Sequence, residues 1–136
     1  MDTIRKVDYF AMDVPQKVGE GAKVLNAVHH AGVNLLAFTG FPNGRKAQID
    51  FIPDDPVAFQ AAAKRAKLRV RRKKIGFLVQ GEDRPGAVAE LMNRLAHAKI
   101  NVTAIDAVCA GAGRYGAIFW VQPRDVNKTA KTLGIA

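Results

Sequence analysis

The sequence predicts an α+β fold of two tandem ferredoxin-like βαββαβ units, each with an antiparallel sheet. Three observations support this prediction. The sequence repeats at a spacing of 67 residues, strand-like and helix-like segments follow the same order twice, and 136 residues suffice for two very small units. The units are expected at residues 1–72 and 73–136, and the second unit is expected to lack most of its last strand.

The repeat is clearest where Val14–Phe38 aligns with Gly81–Ile105 without a gap, and seven of these 25 pairs are identical. The identical pairs are Gly19/Gly86, Ala22/Ala89, Asn26/Asn93, His30/His97, Ala31/Ala98, Asn34/Asn101 and Ala37/Ala104. Unrelated sequences of this composition would match at about two positions. The alignment therefore indicates a duplicated unit.

In both units, β-branched and aromatic segments predict strands, and apolar residues three and four apart predict helices. The strands are expected at residues 4–14, 33–41, 45–52 and 67–72 in the first unit, and at 74–80, 100–108 and 114–121 in the second. The helices are expected at residues 21–31, over the apolar stripe Val88–Ala98, at 123–133, and from Asp54-Asp55-Pro56 onward, where a carboxylate cap and a proline in the first turn favour a helix start. Asn43-Gly44 favours a type I′ hairpin turn.

The two sheets differ in the face that the helices leave uncovered. Gln48 and Asp50 align with Ala117 and Phe119 of the second unit, whose strands are apolar on both faces. A strand that is apolar throughout is usually buried on both sides, so we expect the second sheet to be covered by the first unit or by another chain. The incomplete second unit would also leave an open strand edge, which favours a homodimer.

The composition is that of a globular protein with an excess of positive charge. The net charge is +9 and the pI is near 10.1, which favours anionic partners. Much of this charge lies in the basic run Lys64–Lys74, whose simpler interpretation is a solvated edge strand. No apolar run has the length of a membrane span, and the N-terminus lacks the apolar stretch of a signal peptide, so a cytoplasmic protein is expected.

Catalytic and metal-binding patterns are weak. The equivalent His30 and His97 lie near predicted helix ends, where the helix dipole explains an imidazole, and no zinc-ligand spacing is present. Cys109 is interpreted as a small buried residue. We therefore expect a protein that is not an enzyme, with no cofactor and no metal.

The loop before the first helix of the second unit is the strongest candidate site. Asp83-Arg84-Pro85-Gly86 follows an apolar strand and opens a helix. Free backbone N–H groups and the positive end of the helix dipole suit an anion at such a position. The alternative is simply a favourable helix start, and the residues alone leave both interpretations open.

With Lys99-Ile100-Asn101-Val102 opening the next strand, this loop resembles the ACT domain, and the resemblance covers nearly the whole chain twice. ACT domains are small-molecule sensors, most often of amino acids, which bind where this loop meets a neighbouring domain. The resemblance implies a regulatory protein with an effector site. It would be lined in the second unit by Asp83, Arg84, Gly86, Ala87, Val88 and Asn101, and in the first by Gln16, Gly19 and Asn34.

Two alternatives remain at this point. RNA-recognition motifs share the βαββαβ order, and Arg114–Val121 loosely resembles their third strand, so a nucleic-acid partner is disfavoured but open. Exposure of Phe119 beside Tyr115 or Phe77 would favour it. The chain could also be the non-catalytic regulatory subunit of an amino-acid metabolic enzyme, with that enzyme as its partner.

Overall fold

The structure, a computed structural model, describes residues 2–71 and 74–135, and within them the chain is α+β with six strands and four helices. The strands are β1 (Thr3–Pro15), β2 (Leu35–Asn43), β3 (Lys46–Pro53), β4 (Lys74–Glu82), β5 (Val102–Gly111) and β6 (Arg114–Val121). The helices are α1 (Glu20–His30), α2 (Pro56–Arg65), α3 (Ala87–His97) and α4 (Val126–Thr132). Apart from the strand predicted at residues 67–72, this element order is the predicted one, and most boundaries agree within two or three residues.

The chain divides into two compact units. The N-terminal unit comprises Asp8–Lys74, and the C-terminal unit comprises Met1–Val7 together with Ile75–Ala136. In the N-terminal unit the strands lie in the order β2-β3-β1, and in the C-terminal unit β4-β6-β5 follow the start of β1. Every strand pair with a described register is antiparallel.

Phenylalanines form the centre of the N-terminal core. Phe10 of β1 lies opposite Phe51 of β3, and the rings of both contact Phe59 of α2, with centroid distances of 4.9 and 5.2 Å. All three side chains are fully buried, and each contributes about 1.5–3 kcal/mol through the hydrophobic effect. Val24 and Val28 bring α1 against the same cluster.

The C-terminal core is built in the same way around Phe77 of β4 and Phe119 of β6. Their rings stack at 5.1 Å, and both are fully buried. Leu91 and Leu95 of α3 pack on this pair, which confirms the apolar stripe predicted for this helix. Ala130 of α4 completes the cluster.

The backbone of the two units corresponds closely at the first helix. Both α1 and α3 begin after a glycine with left-handed backbone, Gly19 at φ 88° and Gly86 at φ 85°, and each spans eleven residues. By contrast, α2 begins after Asp55, whose carboxylate accepts a hydrogen bond from the Ala58 N–H at 3.1 Å. The predicted carboxylate cap is thus confirmed, and it distinguishes α2 from the two glycine-capped helices.

The C-terminal sheet also carries buried residues on its second face. Leu78, Ile118 and Trp120 are all buried, although they alternate with the residues that face the helices. The predicted alignment of the two sheets was wrong by one residue. Phe51 and Phe119 take equivalent positions, so Asp50 corresponds to Ile118 rather than to Phe119.

The predicted fourth strand at residues 67–72 is not formed over residues 67–71, the part of it that the structure describes. Lys67 turns the chain with a left-handed φ of 57°, and residues 68–71 run beside β1 through one backbone bond, from Arg71 N–H to Ala11 C=O at 2.7 Å. A single bond does not establish a strand ladder. Arg72 lies outside the described residues.

The open edge predicted for the second unit is also absent, because the start of β1 lies beside β4. The Thr3 hydroxyl donates to the Gln80 carbonyl at 3.4 Å, and the Glu82 N–H donates to the Asp2 carboxylate at 3.3 Å. The first residues of the chain thus occupy the position of the missing last strand. This removes the open edge as an argument for a homodimer.

Two local predictions need smaller corrections. The β2–β3 turn is formed by Gly44 and Arg45 rather than by Asn43-Gly44, and only Gly44 has a positive φ. This pattern fits a type II′ turn, which needs glycine at its first central position. The last helix begins as a 3-10 turn at Pro123–Asp125 before α4.

Candidate functional site

The loop between β4 and α3 leaves the start of α3 without a protein cap. The Ala87 N–H donates to the Arg84 carbonyl at 3.2 Å, and the Glu90 N–H reaches the Gly86 carbonyl at 2.9 Å. Helical geometry offers no backbone acceptor to the intervening N–H groups of Val88 and Ala89, and no described side chain caps this end. These two groups, at the positive end of the helix dipole, suit a carboxylate or another oxyanion.

Asp83 is held at the entrance to this loop by two contacts. Its N–H donates to the Gly113 carbonyl at 2.9 Å, and its carboxylate accepts a hydrogen bond from the Cys109 thiol at 3.1 Å. The prediction that Cys109 is buried was wrong, since the residue is exposed on edge strand β5. The thiol bonds one carboxylate oxygen and leaves the other with its full acceptor capacity.

Arg84 is paired within its own loop. Its two terminal nitrogens donate to the two carboxylate oxygens of Glu90, at 3.1 and 2.5 Å. The hydrogen bond and the charge of Glu90 raise the pKa of the Arg84 guanidinium, which stays charged. Because both terminal nitrogens are engaged, this side chain shapes the loop and is less suited to clamping a ligand.

The loop, the first turn of α3 and the end of β5 border an open cavity of about 330 Å³. Five residues expected at the site line it together: Asp83, Arg84, Gly86, Ala87 and Val88. Sequence reasoning missed its other lining residues: Ala89, Ala107, Val108, Cys109 and Tyr115. Pairing of β5 with β6 brings most of these to the loop, and a strand register is the signal that would have found them.

Tyr115 forms part of the cavity wall from β6. It lies opposite Gly81 of β4 and is buried. Burial first, and then the negative charge of Asp2, raise the pKa of its phenol above the ordinary 10.0. The phenol therefore stays neutral at neutral pH, and its hydroxyl oxygen is buried.

Asn101 does not lie at this cavity. It precedes β5, whereas Cys109 lies near the other end of the same strand. At about 3.3 Å per residue the two are separated by roughly 25 Å. The structure therefore does not bring Asn101 together with the loop that precedes α3.

The corresponding residues of the N-terminal unit form a different arrangement. The exposed Gln16 donates from its amide to the carbonyls of Gly44 and Lys46, at 3.3 and 2.9 Å, and so fastens the β2–β3 hairpin. Gly19 opens α1 with the same left-handed backbone as Gly86, again without a described side-chain cap. Asn34 is exposed before β2, and its carbonyl accepts from the Asp54 N–H at 2.9 Å. No acid stands where the C-terminal unit has Asp83.

Two other site classes gain no support. Phe77 and Phe119 are fully buried and Tyr115 is nearly so, which removes the aromatic platform that an RNA-recognition motif would need. Among the described residues, no group of three or more histidine, cysteine or acidic side chains is placed to hold a metal ion. No helix in residues 2–71 and 74–135 is long and apolar enough to cross a membrane.

Solved structures share this fold across nearly the whole chain. Protein BT0572 from Bacteroides thetaiotaomicron superposes with a TM-score of 0.82 at 17% identity, covering 96% of this chain and 88% of its own. The regulatory subunit of aspartate kinase from Thermus thermophilus gives a TM-score of 0.66 at 14% identity, with 98% and 94% covered. A structure of aspartokinase alpha and beta subunits gives 0.62 at 15%, with 97% and 93% covered. No family model and no curated protein matches the sequence.

Proposed function

We propose that this chain is a regulatory protein of the ACT type, with two tandem units, that binds an amino acid at the cavity beside Asp83 and the start of α3. The observation that carries the proposal is the combination of an uncapped helix start, an acid and a small apolar wall around one cavity of about 330 Å³. The fold shared with the regulatory subunit of aspartate kinase supports a regulatory rather than a catalytic role.

The polar ends of an amino acid match this cavity. Its carboxylate would accept hydrogen bonds from the N–H groups of Val88 and Ala89, where the helix dipole favours negative charge. Its ammonium group would donate to the carboxylate oxygen of Asp83 that does not accept from Cys109.

The apolar wall limits the side chain of the ligand. Ala89, Ala107 and Val108 present small aliphatic groups, and Tyr115 adds a ring. A volume of about 330 Å³ lies at the lower end of the range for small-molecule sites, so a compact apolar amino acid fits better than a long or charged one.

The N-terminal unit would bind the same ligand more weakly or not at all. Gln16 occupies the position of Asp83, and its amide is engaged by the hairpin. An ammonium group would find no carboxylate there. One competent site per chain is therefore the expected stoichiometry.

The test is a thermal-shift screen of the twenty amino acids with the full chain, followed by calorimetric titration of those that raise the melting temperature. Asp83→Asn should abolish the response by removing the counter-charge for the ammonium group. Asp106→Asn is the matched control, because this exposed β5 acid does not line the cavity. If no amino acid stabilises the protein, or if both variants respond as the unsubstituted chain does, the proposal is wrong.

A regulatory role also requires a partner whose activity or assembly changes when the ligand binds. We propose an amino-acid metabolic enzyme or a second copy of this chain as that partner. Sedimentation of the full chain with and without the amino acid that gives the largest thermal shift tests the second possibility. A ligand-independent monomer would exclude the homodimer.

A further inference from the structure

A second cavity, unrelated to the amino-acid site, lies on the N-terminal unit. On β1, Phe10 and Met12 point into the core, so Tyr9 and Ala11 lie on the opposite face of the sheet. On β3, Ile49 points into the same core, and Gln48 therefore lies on the opposite face with them. This outer face carries a cavity of about 340 Å³.

Five of the six residues that line this cavity carry a polar or charged group, and two of these are cations. Arg71 and Lys74 supply the positive charges, and Asn43, Gln48 and Tyr9 contribute amide and hydroxyl groups. No carboxylate among the described residues of the N-terminal unit lines this cavity.

The backbone of both cationic residues is held in place. The Arg71 N–H donates to the Ala11 carbonyl at 2.7 Å, which fixes residue 71 beside β1, and Lys74 is the first residue of β4. One Arg71 nitrogen, Nη1, pairs with Asp13 at 3.0 Å. A guanidinium has five N–H donors, so this pair leaves others for a ligand.

A buried acid on the same face of β3 holds one of the lining residues. Asp50 is 5% exposed, and its carboxylate accepts hydrogen bonds from the Thr39 hydroxyl at 3.1 Å and from the Gln48 amide at 3.0 Å. These bonds hold Gln48 in one orientation. Burial, followed by the charge of Asp50, raises the pKa of Tyr9, which keeps its phenolic proton.

We propose that this cavity binds the phosphate group of a small phosphorylated metabolite. A guanidinium fork and an ammonium group that line the same cavity match the dispersed double charge of a phosphate monoester. The basic run that ends here raises the local positive potential and explains the excess of cations that the amino-acid site does not use. A polynucleotide would need a groove with successive stacking aromatics, so a small ligand is favoured.

The experiment uses the full chain labelled with ¹⁵N and titrated with inorganic pyrophosphate, against sodium chloride at matched ionic strength. The side-chain amide resonances of Asn43 and Gln48 should shift with pyrophosphate and not with chloride. Shifts confined to the N–H groups of Val88 and Ala89 would overturn the proposal, because they report the helix start instead.

Three variants separate a shaped site from diffuse attraction. Arg71→Gln and Lys74→Gln should each weaken pyrophosphate binding about tenfold or more, since each loses a charge-assisted hydrogen bond. Arg69→Gln removes the same charge from an exposed residue of the basic run that does not line the cavity, and it should change affinity less than about threefold. Because Arg71→Gln also breaks the Asp13 pair, Lys74→Gln is the independent test.

Unchanged melting temperatures without pyrophosphate establish that the variants are folded. Equal loss of affinity in all three variants would overturn the proposal in favour of non-specific charge attraction. Tighter binding of a single-stranded RNA oligonucleotide than of pyrophosphate would also overturn it. Neither outcome depends on whether an amino acid binds beside α3.

Discussion

Replacement of Gly81 by alanine tests how β1, β4 and β6 meet next to the amino-acid cavity. A β-carbon at Gly81 would lie 2.8 Å from Cε1 of Tyr115 and 2.6 Å from Cγ of Asp2, and closer still to a carboxylate oxygen of Asp2. The backbone of Gly81 is not left-handed, so the cost of the substitution is steric. Asp2 and Tyr115 can yield to the new β-carbon to different degrees, and this difference determines how much stability the substitution costs.

Asp2 is exposed near the start of the chain and can rotate away, at the loss of its hydrogen bond to the Glu82 N–H. Tyr115 is buried against the core and cannot rotate without moving its neighbours. Overpacking of this kind costs about 1–3 kcal/mol. Alanine in place of glycine in a strand recovers about 0.5–1 kcal/mol, so Gly81→Ala should destabilise the protein by about 0–2.5 kcal/mol.

Gly116→Ala is the matched control, because it lies in the adjacent strand β6 and its new β-carbon would meet only the Val79 carbonyl, at 3.7 Å. This substitution also replaces glycine by a residue that favours a strand more strongly, but its β-carbon clashes with no neighbour. Urea denaturation monitored by Trp120 fluorescence should therefore place Gly81→Ala about 1–3 kcal/mol below Gly116→Ala. Adding Asp2→Ala to Gly81→Ala should restore only the smaller part of the lost free energy of unfolding, because the clash with Tyr115 remains. Equal stability of the two single variants would refute the packing of Tyr115 against β4.

Four further outcomes are expected. Asp55→Ala should lower the free energy of unfolding by about 1 kcal/mol in urea, because α2 loses its side-chain cap, while Asp54→Ala leaves it unchanged. Ile4→Ala should cost about 1–2 kcal/mol in the same assay, since this half-buried residue of β1 packs on the C-terminal core. Stability should fall above pH 10, where the unfolded chain ionises its tyrosines before the folded chain does, and Tyr115→Phe should reduce that fall. The amino acid with the largest thermal shift should slow alkylation of the exposed Cys109 by iodoacetamide, whereas an unchanged rate would contradict its location.

The fold could be predicted from the sequence because its signals are local. The apolar stripe of α3 and the carboxylate cap at Asp55 each depend on residues within one element, and both are confirmed. The hairpin turn was misplaced by one residue because Asn43-Gly44 and Gly44-Arg45 both contain a glycine that tolerates positive φ. Only the pairing of β2 with β3 decides between them.

The part that could not be predicted depends on contacts between distant residues. The expected open edge of the second unit followed from counting strands in chain order. The start of β1 takes that position, and no periodicity in residues 3–7 reveals it. Cys109 was misjudged for a similar reason, because burial of a small residue on β5 depends on which strand lies at the edge of the sheet.

The same distinction applies to the amino-acid cavity. Its helix start and its acid come from one short loop, and the sequence could identify them together. Its apolar wall comes from β5, and Tyr115 comes from β6, whose register relative to β4 is set by the stacked Phe77 and Phe119. A change of one residue in that register would turn Tyr115 to the other face and remove it from the cavity. The core of the C-terminal unit therefore determines the shape of the site, while the loop determines its charge.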